Sequence, residues 1–319
     1  TSGTTGIPKI LFRSFESWAD FFAIQNAVFG VDADSRLFVQ GSLAFTGNLN
    51  LYMGQLAAGG TLIAEDVFLP GKWEQVMARE RANGIYLIPS KLLMLPRVFK
   101  GVNANIRTII SGSQSLGRKD AEVLKKIFPN TEITLYYGAS ELNYITYVKS
   151  ADMTEERNLI GKPFPGVRVF IQDDEMYVDN AFHVENITVP YSLKDSGRMD
   201  LQGNFYFLGR TDDIVGVRGR KVSMMKIENA LEEVAGITEA AVVLLPKEKD
   251  ADMPAEIVSA FVTVEGTDVP ENLRQQLKEK LADFEIPKRV IVLEAFPKNT
   301  SGKVDKARLK KMWIEQEPQ

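Results

Sequence analysis

The run Thr1-Ser2-Gly3-Thr4-Thr5-Gly6-Ile7-Pro8-Lys9 is suited to holding a phosphate and unsuited to packing a core: six of its nine residues are Thr, Ser or Gly, and a fixed proline and a cation complete it. Such a loop turns backbone N–H groups and hydroxyls toward one point, which is how phosphate oxygens are cradled. It does not fit the pattern G-x-x-x-x-G-K-[ST], because Lys9 follows Pro8 and no hydroxyl residue follows the lysine. Taken alone, the segment also reads as a polar, disordered terminus. Two other groups of hydroxyls and glycines follow apolar runs, Ser111-Gly112-Ser113-Gln114 and Tyr137-Gly138-Ala139-Ser140-Glu141. The single imidazole, His183, lies between Phe182 and Val184 with no nucleophile signature near it, so a zinc hydrolase site or a Ser-His-Asp triad has little to build on. Zero cysteines exclude disulfides, thiolate metal sites and a cysteine nucleophile.

The elements that must carry these groups alternate through the first half. Phe15, Trp18, Ala19 and Phe22 recur at helical spacing after a candidate cap at Ser14, and Gly30 ends the pattern. Strands are expected at 36–40, 61–64, 85–88, 106–110 and 132–136, and helices before Gly59-Gly60 and over 72–82, 91–99 and 118–128. This alternation predicts a layered α/β domain with a mainly parallel sheet. Active sites in such sheets lie beyond the carboxyl ends of the strands, where 111–114 and 137–141 are expected to sit. From about Gly161 the texture becomes short, turn-rich strands. Beyond Gly209-Arg210-Thr211-Asp212-Asp213 an α+β pattern follows: a helix over 225–234, strands at 239–245, 257–264 and 289–293, and helices over 271–282 and 306–311. The expected division is a large domain, 1–211, and a small mobile α+β domain, 212–319.

At 319 residues the chain exceeds one ordinary core, and 45% hydrophobic with 25% charged residues is the balance of a globular protein. A net charge of −4 with both signs interspersed argues against a dedicated nucleic-acid binder. No apolar run is long enough to span a membrane and no signal-peptide pattern opens the chain, so the cytoplasm is the expected compartment. The oligomeric state is left open.

Read together, the motifs resemble the adenylate-forming superfamily of acyl-CoA synthetases, peptide-synthetase adenylation domains and luciferases. The opening loop resembles its phosphate loop. Tyr137-Gly138-Ala139-Ser140-Glu141 resembles its Tyr-Gly-x-Thr-Glu, with Ser140 in the threonine place, and Asp195 before Gly197-Arg198 resembles the Asp of its Thr-Gly-Asp, although Leu193-Lys194 displaces the usual Thr-Gly. Gly209-Arg210-Thr211-Asp212-Asp213 and Arg218-Gly219-Arg220-Lys221 look like its hinge and the following glycine turn, and Pro297-Lys298-Asn299-Thr300-Ser301-Gly302-Lys303 like the segment carrying its catalytic lysine. Lys226-Ile227-Glu228 departs mildly from Glu-Ile-Glu. Family members also carry a long segment before the loop, so the chain resembles the latter part of a full enzyme.

The resemblance implies an acid–thiol ligase that uses ATP, Mg²⁺ and CoA. The nucleotide would be held by Thr1, Ser2, Gly3, Thr4, Thr5, Gly6, Lys9, Gly112, Ser113, Tyr137 and Gly138. Asp195 and Arg210 would grip the ribose, Glu141 would hold the metal beside Ser140, and Lys303 would be the catalytic lysine. Rotation about Asp212 would bring the Gly219 turn into the site for the second step. Tyr137 reads equally as an adenine-stacking ring or a core aromatic. The stretch from Phe45-Thr46-Gly47-Asn48 to Gly60-Thr61 resembles the wall of the acyl pocket. Amino-acid-activating members have an Asp where Thr46 stands, and a buried ammonium without its carboxylate would lose about 3–5 kcal/mol. The expected substrate is therefore a carboxylic acid without an α-amine, its length and aromaticity open. A carrier-protein-loading adenylation domain and a non-catalytic nucleotide- or acyl-binding relative are the alternatives.

Overall fold

The computed structural model describes residues 10–43, 45–211, 214–217, 219–247, 256–298 and 304–315. Its elements run α1 (Glu16–Phe29), β1 (Arg36–Gln40), α2 (Thr46–Ala57), β2 (Thr61–Glu65), α3 (Pro70–Arg79), β3 (Gly84–Tyr86), α4 (Pro89–Leu92), α5 (Leu95–Val98), β4 (Thr108–Gly112), α6 (Arg118–Ile127) and β5 (Glu132–Ala139). There follow β6 (Asn143–Lys149), β7 (Leu159–Pro163), β8 (Arg168–Gln172), β9 (Glu175–Asp179), β10 (Tyr191–Met199) and β11 (Phe205–Arg210). Then come β12 (Ile214–Val217), β13 (Arg220–Ser223), α7 (Met224–Glu232), β14 (Ile237–Pro246), β15 (Glu256–Val264), α8 (Leu273–Lys278), β16 (Arg289–Val292) and α9 (Lys306–Glu315). The chain divides into one unit of Thr1–Leu193 with Gly197–Phe207 and another of Lys194–Ser196 with Leu208–Gln319.

In the first unit, successive strand residues feed opposite cores. Phe38, Ile85, Ile109, Ile133 and Leu135 pack on one face with Trp73 and Met77 of α3 and Leu124 of α6. Leu37, Val39, Tyr86, Ile110 and Tyr136 pack on the other with Phe21 and Phe29 of α1 and Leu51 of α2. That is the period-two alternation of a sheet covered on both faces, where each face must be apolar. The sheet runs β2-β1-β3-β4-β5-β6-β7-β11-β10-β9-β8. Its first five strands are all parallel, and β5-β6 and β6-β7 are antiparallel. The mainly parallel α/β architecture with a turn-rich β extension is thus the observed one. No helix among the described residues is long and apolar enough to cross a membrane.

Four local expectations are corrected. The helix expected over 91–99 is two single turns, α4 and α5, because Pro96 has no N–H and its ring clashes with the carbonyl four residues back. The expected strand end at Tyr136 moves to Ala139: Tyr137 pairs with Thr146 and Ala139 with Asn143 across a bulge, so the Tyr-Gly-Ala segment lies within β5. α8 is shorter than the expected 271–282, spanning Leu273–Lys278. α1 starts at Glu16 with Phe15, not Ser14, at its N-cap, although Ser14 Oγ does accept from the Ser17 amide at 3.3 Å, and Gly30 closes α1 in the left-handed conformation.

The second unit repeats the alternation on a small scale. β14, β15 and β16 form a three-stranded sheet. Ala240, Val242 and Val262 face Ile227 and Leu231 of α7, while Ala241, Val243, Leu245 and Phe261 face Leu309 of α9.

Trp73 has no exposed surface, and its ring centroid lies 5.4 Å from that of Phe38. Trp73→Ala is expected to cost about 3–5 kcal/mol in urea unfolding, whereas Val123→Ala, on the exposed side of α6, should cost less than about 0.5 kcal/mol. Equal small losses would contradict this placement of the core.

Candidate functional site

The strand order β2-β1-β3-β4-β5 reverses direction between β1 and β3. The helix that leads outward from β1 to β2, α2, packs on one face, and α3 and α6 pack on the other. A crevice beyond the carboxyl ends of parallel strands at such a reversal is where open α/β sheets bind ligands. Gly112 ends β4, and Tyr137 and Gly138 lie in the last residues of β5, inside the strands rather than beyond them as expected; Phe45 and Thr46 follow β1, Ser113 follows β4, and Ser140 and Glu141 follow β5. Thr46 opens α2, and the Ser140 hydroxyl donates to Thr46 Oγ1 at 3.1 Å, joining the expected substrate pocket to the Ser-Glu corner. Phe45 is exposed, Ser113 is exposed with φ of 70°, and Tyr137 is half-buried with its ring 5.9 Å from that of Phe207.

Behind Thr46 lies a phenol cluster that sequence reading does not single out. Tyr86 and Tyr136 share a hydrogen bond between their hydroxyls at 2.9 Å, with rings stacked at 6.5 Å. The Tyr136 ring lies against Gly112, where an added Cβ would sit 2.6 Å from a ring carbon. Its hydroxyl reaches Gly47, where a Cβ would lie 3.0 Å from the Tyr136 oxygen and 3.4 Å from that of Tyr86. Tyr144 donates to the Gly47 carbonyl at 3.4 Å, and Tyr52 to that of Gly41 at 3.1 Å. Burial pushes Tyr52 and Tyr136 up to about 12 and holds Tyr86 and Tyr144 well above the ordinary tyrosine value. The signal was present in the sequence as Tyr136-Tyr137, two consecutive aromatic residues ending an apolar strand.

Arg13 is the other unanticipated member. Its guanidinium donates to the Phe182 carbonyl at 2.6 Å and the Ser140 carbonyl at 3.1 Å. The Val184 amide donates to the Glu141 carbonyl at 2.8 Å, and that of Glu185 to the Phe12 carbonyl at 2.7 Å. Residues 12–13 are therefore fastened to the Ser140-Glu141 corner through backbone acceptors. Burial lowers Arg13 to about 10, and the Glu141 charge acts in the opposite direction, so the guanidinium stays charged at neutral pH.

Asp195 and Arg210 come together in the second unit. Asp195 is buried, and Arg210 Nε lies 3.5 Å from its Oδ1. Gly219, with φ of 77°, sits in the turn joining β12 to β13. Lys226 pairs with Glu285 at 2.6 Å, Lys306 with Glu228 at 2.7 Å and Lys298 with Glu239 at 3.0 Å, so none of the three is a free tail cation. Thr1, Ser2, Gly3, Thr4, Thr5, Gly6, Lys9, Asp212 and Lys303 lie outside the described residues.

For a metal, the described residues hold no cluster of three or more His, Cys, Asp or Glu. Next in the chain after Ser140, whose hydroxyl meets that of Thr46, comes the carboxylate residue Glu141, whose charge acts on Arg13. A hard, oxygen-only set with a single carboxylate fits Mg²⁺ arriving on nucleotide phosphates, since Mg²⁺ keeps most of its shell as water and phosphate.

Comparison with known proteins agrees with this doubly wound architecture. The model of the AMP-binding enzyme family matches residues 1–181, and that of the AMP-binding enzyme C-terminal domain matches 226–303. The chain belongs to this adenylate-forming family, whose members include acyl-CoA ligases and peptide-synthetase adenylation domains. It is 27% identical to an uncharacterised acyl-CoA ligase of Bacillus subtilis, aligned over all of this chain and 68% of that protein. It is 26% identical to a 2-succinylbenzoate–CoA ligase of Listeria monocytogenes over 97% of this chain and 68% of that protein. It is also 27% identical to a linear gramicidin synthase of Brevibacillus parabrevis, over 97% of this chain but 7% of that protein. Among solved structures, the o-succinylbenzoate–CoA synthetase of Bacillus subtilis in complex with ATP and magnesium shares the fold, with a TM-score of 0.83 at 20% identity over 97% of this chain and 68% of that one.

The phenol cluster gives a pH prediction. Folded-state values raised above 10 mean that these groups contribute stability present below pH 10 and lost as pH climbs through about 12. Absorbance titration near 295 nm should show Tyr52, Tyr86, Tyr136 and Tyr144 ionising only together with alkaline unfolding. Nine tyrosines titrating smoothly near 10 in the folded protein would contradict the cluster.

Proposed function

We propose that the chain activates a carboxylic acid with ATP and passes the acyl group to a thiol, that of CoA. The observation that carries this reading is the Ser140–Thr46 hydroxyl contact at the strand-order reversal, which sets the Ser-Glu corner of β5 against the pocket wall of α2. In the first step a carboxylate oxygen attacks the α-phosphorus of ATP, the bond to pyrophosphate breaks, and acyl-AMP forms. In the second a thiolate attacks the acyl carbon and AMP leaves. When bound, Mg²⁺ neutralises phosphate charge, and Glu141 is its protein ligand. Ser140 and Thr46 present hydroxyls to the reacting oxygens, with Arg13 anchoring the corner.

The further roles follow from family membership. Thr1, Ser2, Gly3, Thr4, Thr5, Gly6, Lys9, Gly112, Ser113, Tyr137 and Gly138 surround the nucleotide, and Asp195 with Arg210 takes the ribose. Lys303 stabilises charge in the first step, and a 212–319 domain turns about Asp212 to present the Gly219 side in the second. CoA as acceptor is supported by the ligases among the relatives. The gramicidin synthase relative supports the second reading, a carrier-protein thiol. Thr46 carries no charge to pair with a substrate ammonium, so an acid without an α-amine fits best. The cytoplasm, where ATP and CoA are supplied, is the proposed setting.

ATP–pyrophosphate exchange on the full polypeptide tests the activity. It should require a simple carboxylic acid and stay near background with every standard amino acid; robust exchange with one amino acid would overturn the substrate assignment. Glu141→Gln should keep its melting temperature without ligand and weaken Mg-ATP binding in calorimetry, and equal titrations would remove the metal role. Lys303→Ala should slow acyl-AMP formation by about 10²–10³-fold yet convert chemically made acyl-AMP to thioester near the parent rate. Lys298→Ala and Lys306→Ala break ion pairs and should cost stability without that split; identical behaviour of all three would refute the role of Lys303.

A further inference from the structure

Three connections at the carboxyl edge of the parallel strands converge on one ammonium. Lys91 lies in α4, the first turn after β3, and its Nζ donates to both oxygens of Gln40, the last residue of β1: to the main-chain carbonyl at 3.3 Å and to the side-chain Oε1. The ring of Phe68, in the connection after β2, has its centroid 5.9 Å from the same nitrogen. β1 and β3 are the strands between which the order reverses, so the cation bridges the two sides of the crevice where such a sheet takes its ligand. Its supports are themselves held. The Ser90 amide donates to Gln114 Oε1 at 2.9 Å, and Gln40 Nε2 donates to the Asp66 carbonyl at 3.4 Å, which leaves Gln40 Oε1 for the lysine.

What this ammonium lacks is a counter-charge. Lys226, Lys298 and Lys306 each meet a carboxylate within 3.0 Å. Lys91 meets none among the described residues, and its acceptors are neutral amide oxygens. Burial pulls it below the ordinary lysine value, with no neighbouring charge to offset the shift. An ammonium has three N–H donors, of which Gln40 takes two. A half-buried cation with a donor to spare, held in place by neutral groups, is complemented by an anion.

That anion has two sources, a phosphate of the nucleotide or of CoA, and a second acidic group on the acid itself. Position favours the acid. Lys91 is fastened to the end of β1, and the helix that follows β1 opens at Thr46, the expected wall of the acyl pocket. The expected nucleotide residues Gly112, Ser113, Tyr137 and Gly138 belong to β4, β5 and their ends, on the opposite side of β3 from Gln40. We propose that the acid activated by this chain carries a second acidic group and that Lys91 binds it. This rests on the acid-activating reading of the same site. A diacid offsets the lost hydration of the lysine with an ion pair, whereas an alkyl or aryl acid of similar size leaves the charge uncompensated, so the two classes are told apart by charge.

Calorimetry on the full polypeptide with AMP present tests this, with succinate, glutarate and adipate set against their monomethyl esters, which keep one carboxylate and nearly the same shape. At least one diacid should bind about tenfold or more tightly than its ester. Lys91→Met should abolish that preference and Lys91→Arg should keep most of it, while both titrate Mg-ATP and CoA as the parent does and keep its melting temperature; Lys91→Gln replaces Lys91→Met should the latter fail to fold. No diacid binding, equal binding of diacid and ester across the panel, or a preference that survives Lys91→Met would overturn the proposal. So would weaker Mg-ATP or CoA binding with unaltered diacid binding in Lys91→Met, which would give the cation to a phosphate. ATP–pyrophosphate exchange on the same acids judges the activity separately: a Lys91-dependent preference without exchange keeps the subsite and removes the activation reading, whereas exchange equal for diacids and esters keeps activation and removes the subsite.

Discussion

The approach of the Tyr136 ring to the backbone of Gly112 is the contact on which the proposed site depends. Because no Cβ stands at residue 112, β5 can lay an aromatic side chain across the end of β4, and its hydroxyl then meets Gly47 and Tyr86. One ring thereby touches the last residue of β3, the last residue of β4 and the first turn of α2, which follows β1. Tyr137, the next residue, packs at the edge of the same core and lays its ring 5.9 Å from that of Phe207.

Around that contact the polar groups are held mostly by backbone acceptors. Arg13 spends its donors on the carbonyls of Phe182 and Ser140, and Val184 fixes the Glu141 carbonyl. The Ser140 hydroxyl and the Glu141 carboxylate sit on a corner whose main chain is anchored from both sides. Such support is what a site needs if its hydroxyls and carboxylate are to keep their geometry while charge develops. The Asp195–Arg210 pair belongs to the second unit, where the same economy appears: Ser223 caps α7 and donates to the Leu208 carbonyl at 2.9 Å.

The doubly wound layers were readable because the first-half strands are apolar at successive positions and are separated by helices with glycine or proline at their ends. The limits of β1 match those expected, since Arg36 and Gln40 bracket a fully apolar triplet. Pairing partners were not readable: residues 137–139 join β5 only because β6 lies beside them, a contact between segments that local pattern does not encode. Pro96 did carry its message, but the apolar spacing around it outweighed the missing N–H in reading one helix. At the candidate site, the sequence singled out the residues of recognisable motifs but not Arg13, Tyr86 and Tyr136. Their roles arise from where the strand order turns back, and from which glycines allow close approach.

The central claim, that a carboxylate attacks the α-phosphorus of ATP at this edge, is tested most directly by isotope transfer. With a carboxylic acid labelled with oxygen-18 in both carboxyl positions, ATP and CoA, attack by the carboxylate followed by thiolysis of the acyl-AMP leaves one labelled oxygen on AMP. Mass spectrometry should find AMP carrying a single oxygen-18 in step with thioester formation. Thioester accompanied by unlabelled AMP, or by ADP and phosphate, would contradict the account.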